Sequence, residues 1–399
     1  MKNQFSLWST ISKCSLLLLF LLAAVFNGNA QNCSYNANTV PIGGTLSTAF
    51  GFEALKLNTG NFNTANGFRA LYYNTSGNGN TATGYGTLFN NSSGSQNTGY
   101  GYRSLTGNTG GESNTASGYN SLATNSVGYY NTADGTWALS DNTTGNGNTA
   151  VGDVALTSNT TGSFNTAIGA GTLGYSYNGY SNTACGHSSL NSNVDGNYNT
   201  AVGFTSLYQN ISGKNNVAIG DSAGFKSLGS GNVYLGNKAG QNETGSGKLY
   251  ISNNTTNSLL YGDFASGQIL MGNKNPTGYT FKGARTLNVL GGLLTDSVRV
   301  ALSANWSDYV FADDYELKSP DELGSFVKTH KHLPGIPTAD EVKQNGIEMG
   351  DITTKLLAKI EELTLYMLQQ EMKIEDQQKA NIAQQHQIDK LLLLQSKKE

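Results

Sequence analysis

Residues 148–164 read NTAVGDVALTSNTTGSF, and residues 165–181 read NTAIGAGTLGYSYNGYS. Both stretches are 17 residues long, open with Asn-Thr-Ala-x-Gly and carry a leucine in the ninth place. The opening asparagine recurs at this spacing along most of the chain, at Asn63, Asn80, Asn97, Asn114, Asn131, Asn148, Asn165, Asn182, Asn199 and Asn216. Outlying copies begin at Ser47 and Asn232, each after a 16-residue step. A period this constant predicts short backbone coils that stack in register.

The columns of the repeat have a mechanical interpretation. Asn-x-x-Gly is a turn signal, because asparagine bonds to its own backbone and glycine accepts a positive φ. No proline occurs between residues 42 and 275, as expected where every backbone N–H is needed by a ladder. The residues that define the repeat are Asn80, Thr81, Ala82, Gly84 and Leu88, and in a later coil Asn148, Thr149, Ala150, Gly152 and Leu156.

These columns predict a mostly β protein, a repetitive parallel β-solenoid or β-roll with two turns and two short strands in each coil. The pattern leaves open which strand face is interior, because both parities carry small residues. One leucine and one alanine in each coil make a thin core, so we expect the chain to associate with itself.

The bulk composition excludes several classes of protein. The 399 residues carry a net charge of −3, and only 13% of them are charged, which gives no basic surface for nucleic acid. There are 50 glycines but only 5 prolines, a composition that favours stacked strands over disorder.

The N-terminus predicts export. The apolar run SLLLLFLLAAVF at residues 15–26 follows two lysines and precedes the small-residue site Gly28-Asn29-Ala30, as in a signal peptide covering residues 1–30. A membrane anchor is the alternative, although a span needs about 20 apolar residues. No second span follows. The mature chain is therefore expected to be secreted or at the cell surface, with residues 31–46 as its leader.

The last copies of the repeat read NNVAIGDSAG at residues 215–224 and GNVYLGNKAG at residues 231–240. These strings resemble the head repeats of trimeric autotransporter adhesins, and the resemblance covers residues 47–252. It implies a parallel β-roll built by three chains, hence a homotrimer. The period here is longer than the family's, and the family's outer-membrane anchor strands are absent from the sequence.

Composition changes after the repeats, with a β-rich connector at residues 253–300 and a small module at residues 301–349. The motifs WSDYVF (306–311), HLPGIP (332–337) and EELTLY (361–366) resemble a tail-fibre-like C-terminal module found on secreted, repeat-bearing proteins of Bacteroidota. This resemblance implies an exported protein with a trimeric tip or foot, and no known activity.

Residues 350–397 follow a heptad pattern that predicts a coiled-coil helix. The apolar seam positions are Leu356, Ile360, Leu363, Met367, Ile374, Ile388 and Leu391. The alternative is a single amphipathic helix packed on its own domain. The seam alone does not choose between a trimer and a dimer.

Candidate chemistry is scarce, and the sequence predicts neither an enzyme nor a cofactor or metal site. His330 and His332 lack partners at zinc-ligand spacing, and the repeat has no aspartate column for calcium. Ser307 and Lys318 resemble faintly the Ser-Lys pair of self-cleaving tail-spike chaperones, where a buried lysine would act as the base.

A column of aromatic residues follows the repeat glycine, and Tyr85, Tyr102 and Tyr119 are the candidates to face a ligand. Such a column can stack on sugar rings or form a structural ladder. We therefore interpret the chain as an exported structural, adhesin-like rod that binds a surface glycan or protein. The alternatives are a phage-tail-fibre-like shaft with a C-terminal trimerisation chaperone, and an ice- or glycan-binding solenoid that presents its regular threonine column.

Overall fold

The computed structural model describes residues 33–35, 44–274, 281, 286–300 and 306–396, and the chain divides into two compact units, Met1–Leu293 and Leu294–Glu399. The predicted signal peptide lies outside the described residues. The first unit holds the strands β1 Cys33–Tyr35, β2 Thr48–Phe50, β3 Thr64–Asn66, β4 Thr81–Thr83, β5 Thr98–Tyr100, β6 Thr115–Ser117, β7 Thr132–Asp134, β8 Thr149–Val151, β9 Thr166–Ile168, β10 Thr183–Cys185, β11 Thr200–Val202, β12 Val217–Ile219, β13 Val233–Leu235, β14 Lys248–Ile251, β15 Ser258–Asp263, β16 Gln268–Lys274 and β17 Leu287–Val289.

Strands β1 to β14 form one parallel ladder in chain order, which confirms the predicted solenoid. Each residue pairs with its equivalent in the next coil, as Thr81 does with Thr98 and Thr183 with Thr200. Strand β1 extends this ladder into the predicted leader. In the connector, β15 pairs antiparallel with both β14 and β16, and β17 then runs parallel to β16.

The interior face, which the sequence left open, is that of the middle residue of each strand. In β3 and β7 the central alanine is buried while both neighbours are exposed. The threonine column therefore points outward and the alanine column inward, opposite the leucine column, where Leu88 and Leu139 are fully buried.

The prediction of two strands in each coil is wrong for the leucine segment. Leu88 and Leu139 have φ angles of 51° and 54°, in the left-handed region, so their segment is a series of tight turns. Its backbone still bonds from coil to coil, since Leu88 N–H donates to the Ser104 carbonyl at 3.0 Å. A left-handed residue costs about 1–2 kcal/mol. Complete burial of the leucine side chain, about 1.5–3 kcal/mol, offsets that cost.

Two columns of asparagine also lie inside the coils, where we had expected the asparagines to be displayed. The backbone N–H of Asn97 donates to Oδ1 of Asn80 at 2.9 Å, and Asn80 Nδ2 donates to the Gly94 carbonyl at 2.9 Å. In the second column, Asn91 Nδ2 donates to Asn74 Oδ1 at 2.6 Å. Because their polar atoms are bonded, these buried asparagines stabilise the coils rather than destabilise them.

The asparagine columns change the argument for self-association. A single chain already buries its alanine, leucine and asparagine columns completely through the middle coils. The core is therefore not thin, and exposed apolar residues elsewhere must supply the reason for copies to associate.

Glycine is required at the turn after each strand. Gly84 has a φ of 133°, and a Cβ there would lie 2.3 Å from the carbonyl oxygen of Gly101 in the next coil. The coils approach each other too closely here for any side chain.

Two tyrosines close the core at the last coils. Tyr234 takes the place of the inward alanine and is fully buried, and Tyr250 follows it in the next strand with the ring centroids 5.9 Å apart. Burial raises the pKa of both phenols. The Tyr250 hydroxyl donates to Glu243 Oε2 at 2.5 Å, so the buried phenol has an acceptor.

The second unit contains a 3-10 helix, Ser307–Phe311, and the helices α1 Pro320–His330, α2 Ala339–Asn345 and α3 Met349–Gln395. Capping boxes begin α1 at Ser319 and α2 at Thr338. The segment before α1 binds to α3 through two hydrogen bonds, from Tyr315 to Glu362 at 2.5 Å and from Tyr366 to the Lys318 carbonyl at 2.6 Å.

Candidate interaction surfaces

The predicted aromatic column forms a continuous stack on the outer surface of the first coils. Neighbouring rings lie 5.0–5.6 Å apart, and the stack comprises Phe52, Phe68, Tyr85, Tyr102, Tyr119 and, edge-on at the end, Trp137. Tyr85, Tyr102 and Tyr119 are 42–47% exposed. Parallel rings cover each other's faces, so the column presents mainly ring edges and phenol hydroxyls to solvent. This geometry favours hydrogen bonding along the column over stacking of a sugar on each ring.

A charged cluster adjoins the start of this stack. Glu53 accepts from Lys56 at 2.5 Å and from Arg69 at 2.7 Å, and these two hydrogen bonds lower the pKa of the Glu53 carboxyl. The Arg69 guanidinium also lies over the Phe68 ring, 5.0 Å from its centroid, and over Tyr72 at 5.7 Å. Arg69 therefore links the aromatic stack to a second exposed group of rings around Tyr72. Sequence reasoning missed this link because the partners lie 16 residues apart.

The outer face of the strands changes character halfway along the solenoid. The third strand position holds polar or aromatic residues in the first coils and apolar residues from β8 onward. The apolar members, the outer apolar column, are Val151, Ile168, Val202, Ile219 and Leu235, with Cys185 among them. Ile168 and Ile219 are 43% and 46% exposed. An aligned row of exposed aliphatic side chains is typical of a protein–protein contact.

Helix α3 confirms the predicted long C-terminal helix. Its predicted seam residues are exposed, all between 49% and 65%: Leu356, Ile360, Leu363, Met367, Ile374, Ile388 and Leu391. The alternative of an amphipathic helix packed along its own domain holds only near its start, where Ala358 and Glu361 are buried. An apolar groove of about 640 Å³ lies beside the seam between α1 and α3, lined by Leu323, Val327, Leu333, Tyr366 and Gln370 among others.

The Ser-Lys pair considered for self-cleavage does not form within the part of the chain that the structure describes. Ser307 is fully buried and its Oγ has no hydrogen-bond partner there, while Lys318 is exposed. A lysine acting as a base needs burial to lower its pKa and contact with the serine. The structure therefore contradicts the arrangement that the mechanism requires.

The histidines and acidic residues do not converge on a metal. His330 Nδ1 lies 3.1 Å from the Phe326 carbonyl and His332 Nδ1 lies 3.0 Å from that of Leu333. Among the described residues, there is no group of three or more His, Cys, Asp or Glu side chains placed to hold a metal ion. In the same residues, none of the helices has the length and hydropathy of a membrane span.

Comparison of the chain with protein-family models, with curated proteins and with solved structures finds no match. The resemblances to adhesin head repeats and to a tail-fibre-like module therefore rest on the quoted motifs alone. The coordinates carry the coarser statement, a parallel β-solenoid joined to a helical C-terminal unit.

Proposed function

We propose that the protein is an exported structural rod that assembles as a homotrimer and serves attachment at the cell surface. The observation that carries the proposal is the exposed seam of α3, which follows a solenoid displaying the same side chains at every coil. A helix of 47 residues with an unpaired heptad seam is typical of a coiled-coil strand.

The outer apolar column supports association from the solenoid side. Its residues repeat once in each coil, about 4.8 Å apart, and another copy of this chain has the same repeat. Two such columns can pack residue for residue over several coils. A stripe this narrow buries less than the roughly 800 Å² on each partner of a stable pair, so the helix seam must hold the copies together.

Attachment follows from the outward columns of the first coils. Stacked phenols and the Arg69 cluster offer hydrogen bonds and positive charge at fixed intervals. Three copies would multiply weak contacts into firm binding without any strong single site. Resemblance to adhesin heads and the N-terminal signal peptide both agree with a surface location.

Light scattering on the purified protein tests the assembly. We expect a mass near three times that of one 42.2 kDa chain. Leu363→Asp should reduce it to the monomer, because a carboxylate in the seam is desolvated without a partner. Leu368→Asp is the matched control. Leu368 is similarly exposed, at 53% against 58%, but lies off the seam, and its substitution should leave the mass unchanged.

Beads coated with the protein test attachment on a panel of immobilised glycans and host-surface proteins. Beads carrying the trimer should bind at least one member of the panel, and beads carrying Leu363→Asp should bind it much more weakly. A monomeric mass for the unaltered protein would overturn the assembly, and binding no stronger than that of albumin-coated beads would overturn the attachment role.

A further inference from the structure

A small cleft opens on the outer surface between two consecutive coils in the middle of the solenoid. It has a volume of about 240 Å³ and is lined by Gly110, Glu112, Val127, Tyr129 and Tyr130. Gly110 and Val127 occupy equivalent places in neighbouring coils, as do Glu112 and Tyr129. The cleft is thus a gap in one column, closed on its sides by an acidic and an aromatic residue.

The fold does not require the glycine that opens the cleft. A Cβ at Gly110 would meet Ser93 Oγ at 3.4 Å and Val127 Cγ1 at 3.8 Å, which are ordinary van der Waals distances. The φ of Gly110 also lies outside the left-handed range, unlike that of the turn glycines. Serine and valine occupy the same column one coil before and after. Since a side chain fits here, the physical effect of the glycine is to leave the space empty.

The two tyrosine rings form walls at right angles. Their centroids are 5.3 Å apart with an interplanar angle of 86°, and the side chains are 47% and 68% exposed. Both rings lie outside the parallel aromatic stack, so their faces are not covered by it. Exposed ring faces carry the negative part of the aromatic quadrupole, which attracts cations.

The polar groups of the cleft also select for a cation. The Tyr130 N–H donates to the Glu112 carbonyl at 3.1 Å, and the Tyr129 N–H donates to Asn146 Oδ1 at 3.0 Å, so both backbone donors are already bonded. The Glu112 side chain contributes a carboxylate, and the lining residues include neither lysine nor arginine. A neutral sugar would need donors as well as acceptors, whereas an alkylammonium group needs only ring faces and a carboxylate.

We propose that this cleft, the Glu112 cleft, binds an alkylammonium group. Its methyl or methylene groups would lie against Tyr129, Tyr130 and Val127, and its charge would lie near the Glu112 carboxylate. The group could come from a choline headgroup or from a lysine side chain, which share this chemistry. The inference stands whether or not the rod serves attachment, because it rests on the cleft alone.

Ligand-observed NMR titration of the full protein tests the proposal with choline and with Nα-acetyl-lysine amide. We expect binding of at least one probe with a Kd of about 1–10 mM, as suits a partly exposed cation–π site. Preference for choline would assign the site to quaternary ammonium, and preference for the lysine derivative to a protein side chain. Dimethylbutanol, the neutral carbon isostere of choline, should bind at least about tenfold more weakly.

Three variants distinguish the site from general effects on the fold. Gly110→Val fills the gap with the side chain already present one coil later, and it should abolish binding while leaving the circular dichroism and the melting temperature unchanged. Glu112→Gln keeps the shape but removes the charge, and should weaken binding roughly fivefold. Tyr198→Ala is the control, because Tyr198 also belongs to a perpendicular tyrosine pair, with Tyr180, but lies outside this cleft.

The proposal is overturned if dimethylbutanol or methyl glucoside binds as well as choline, or if folded Gly110→Val still binds. Equal loss of binding in Tyr198→Ala and Gly110→Val would also overturn it, because binding would then not depend on the cleft. A monomeric mass in light scattering would count against the proposed assembly but leave this inference intact.

Discussion

Ser176 interrupts the second buried asparagine column, and replacing it with asparagine should stabilise the protein. Up to Asn159 the column is continuous, since Asn159 Nδ2 donates to Asn142 Oδ1 at 2.7 Å. At Ser176 the donor is missing. Asn159 Oδ1 and Ser176 Oγ are both buried without a hydrogen-bond partner in the part of the chain that the structure describes. The column resumes when Asn210 Nδ2 donates to Asn193 Oδ1 at 3.0 Å.

The geometry of the intact coils sets the size of the effect. Elsewhere each amide donates to the preceding Oδ1 and to the glycine carbonyl three residues later, and Gly179 stands in that place after Ser176. Ser176→Asn would therefore gain two donor bonds, and its Oδ1 could accept from Asn193. At about 1 kcal/mol each, less the cost of ordering and fitting a larger side chain, the net gain should be about 1–2 kcal/mol.

Chemical unfolding of the purified protein, followed by circular dichroism, measures the change. Ser176→Ala removes the unsatisfied hydroxyl without adding a donor, and should lie within about 0.5 kcal/mol of the parent. Ser176→Asp has the shape of asparagine but directs an oxygen at Asn159 Oδ1, and it should be less stable than either. Equal effects of asparagine and aspartate, or a loss of stability with asparagine, would refute the reasoning from hydrogen bonds.

Three further predictions concern the coils and their last strands. Gly135→Ala should cost about 3–5 kcal/mol, because its φ is 143° and the new Cβ would lie 2.3 Å from the next coil's carbonyl oxygen, whereas Gly110→Ala should be nearly neutral in the same unfolding assay. Tyr102→Ala should cost about 1–3 kcal/mol if the aromatic stack supports the coils, measured as a fall in the unfolding midpoint. The hydrogen bond from Lys248 lowers the pKa of Asp263 below 3.8, so the stability from this pair should be present above pH 4 and fall as the pH drops further; Asp263→Asn should remove that part of the acid dependence of unfolding.

The sequence predicts which positions are equivalent better than it predicts which way they face. A spacing of 17 residues is enough to place Ala82 above Gly99 and to require a parallel ladder. It does not show that Asn80 is buried, because a polar residue in a turn is usually exposed and only stacking supplies its partners. The left-handed Leu88 was unpredictable for a similar reason: its backbone strain is tolerated only after its side chain is buried. A signal for both was present, since these columns stay constant while neighbouring polar columns vary.

The candidate surfaces divide in the same way. The stack of Tyr85, Tyr102 and Tyr119 could be predicted, because its members share a column. The Glu112 cleft could not, because it depends on one glycine in a column that otherwise holds side chains, and on contacts between two coils. The seam of α3 could be predicted as a pattern, but its exposure is a property of the folded chain.

The solenoid therefore separates what holds it together from what it displays. Each inward position is constrained by the same residue in the coils before and after it, so a change there affects two interfaces at once. An outward position meets only its neighbours in one column, and can change in a single coil at little cost. Gly110 is such a change, and so is the switch from Asp134 to Val151 on the strand face. Departures from the repeat at outward positions are consequently where we expect binding and assembly to be encoded, while departures at inward positions, such as Ser176, should be visible mainly as lost stability.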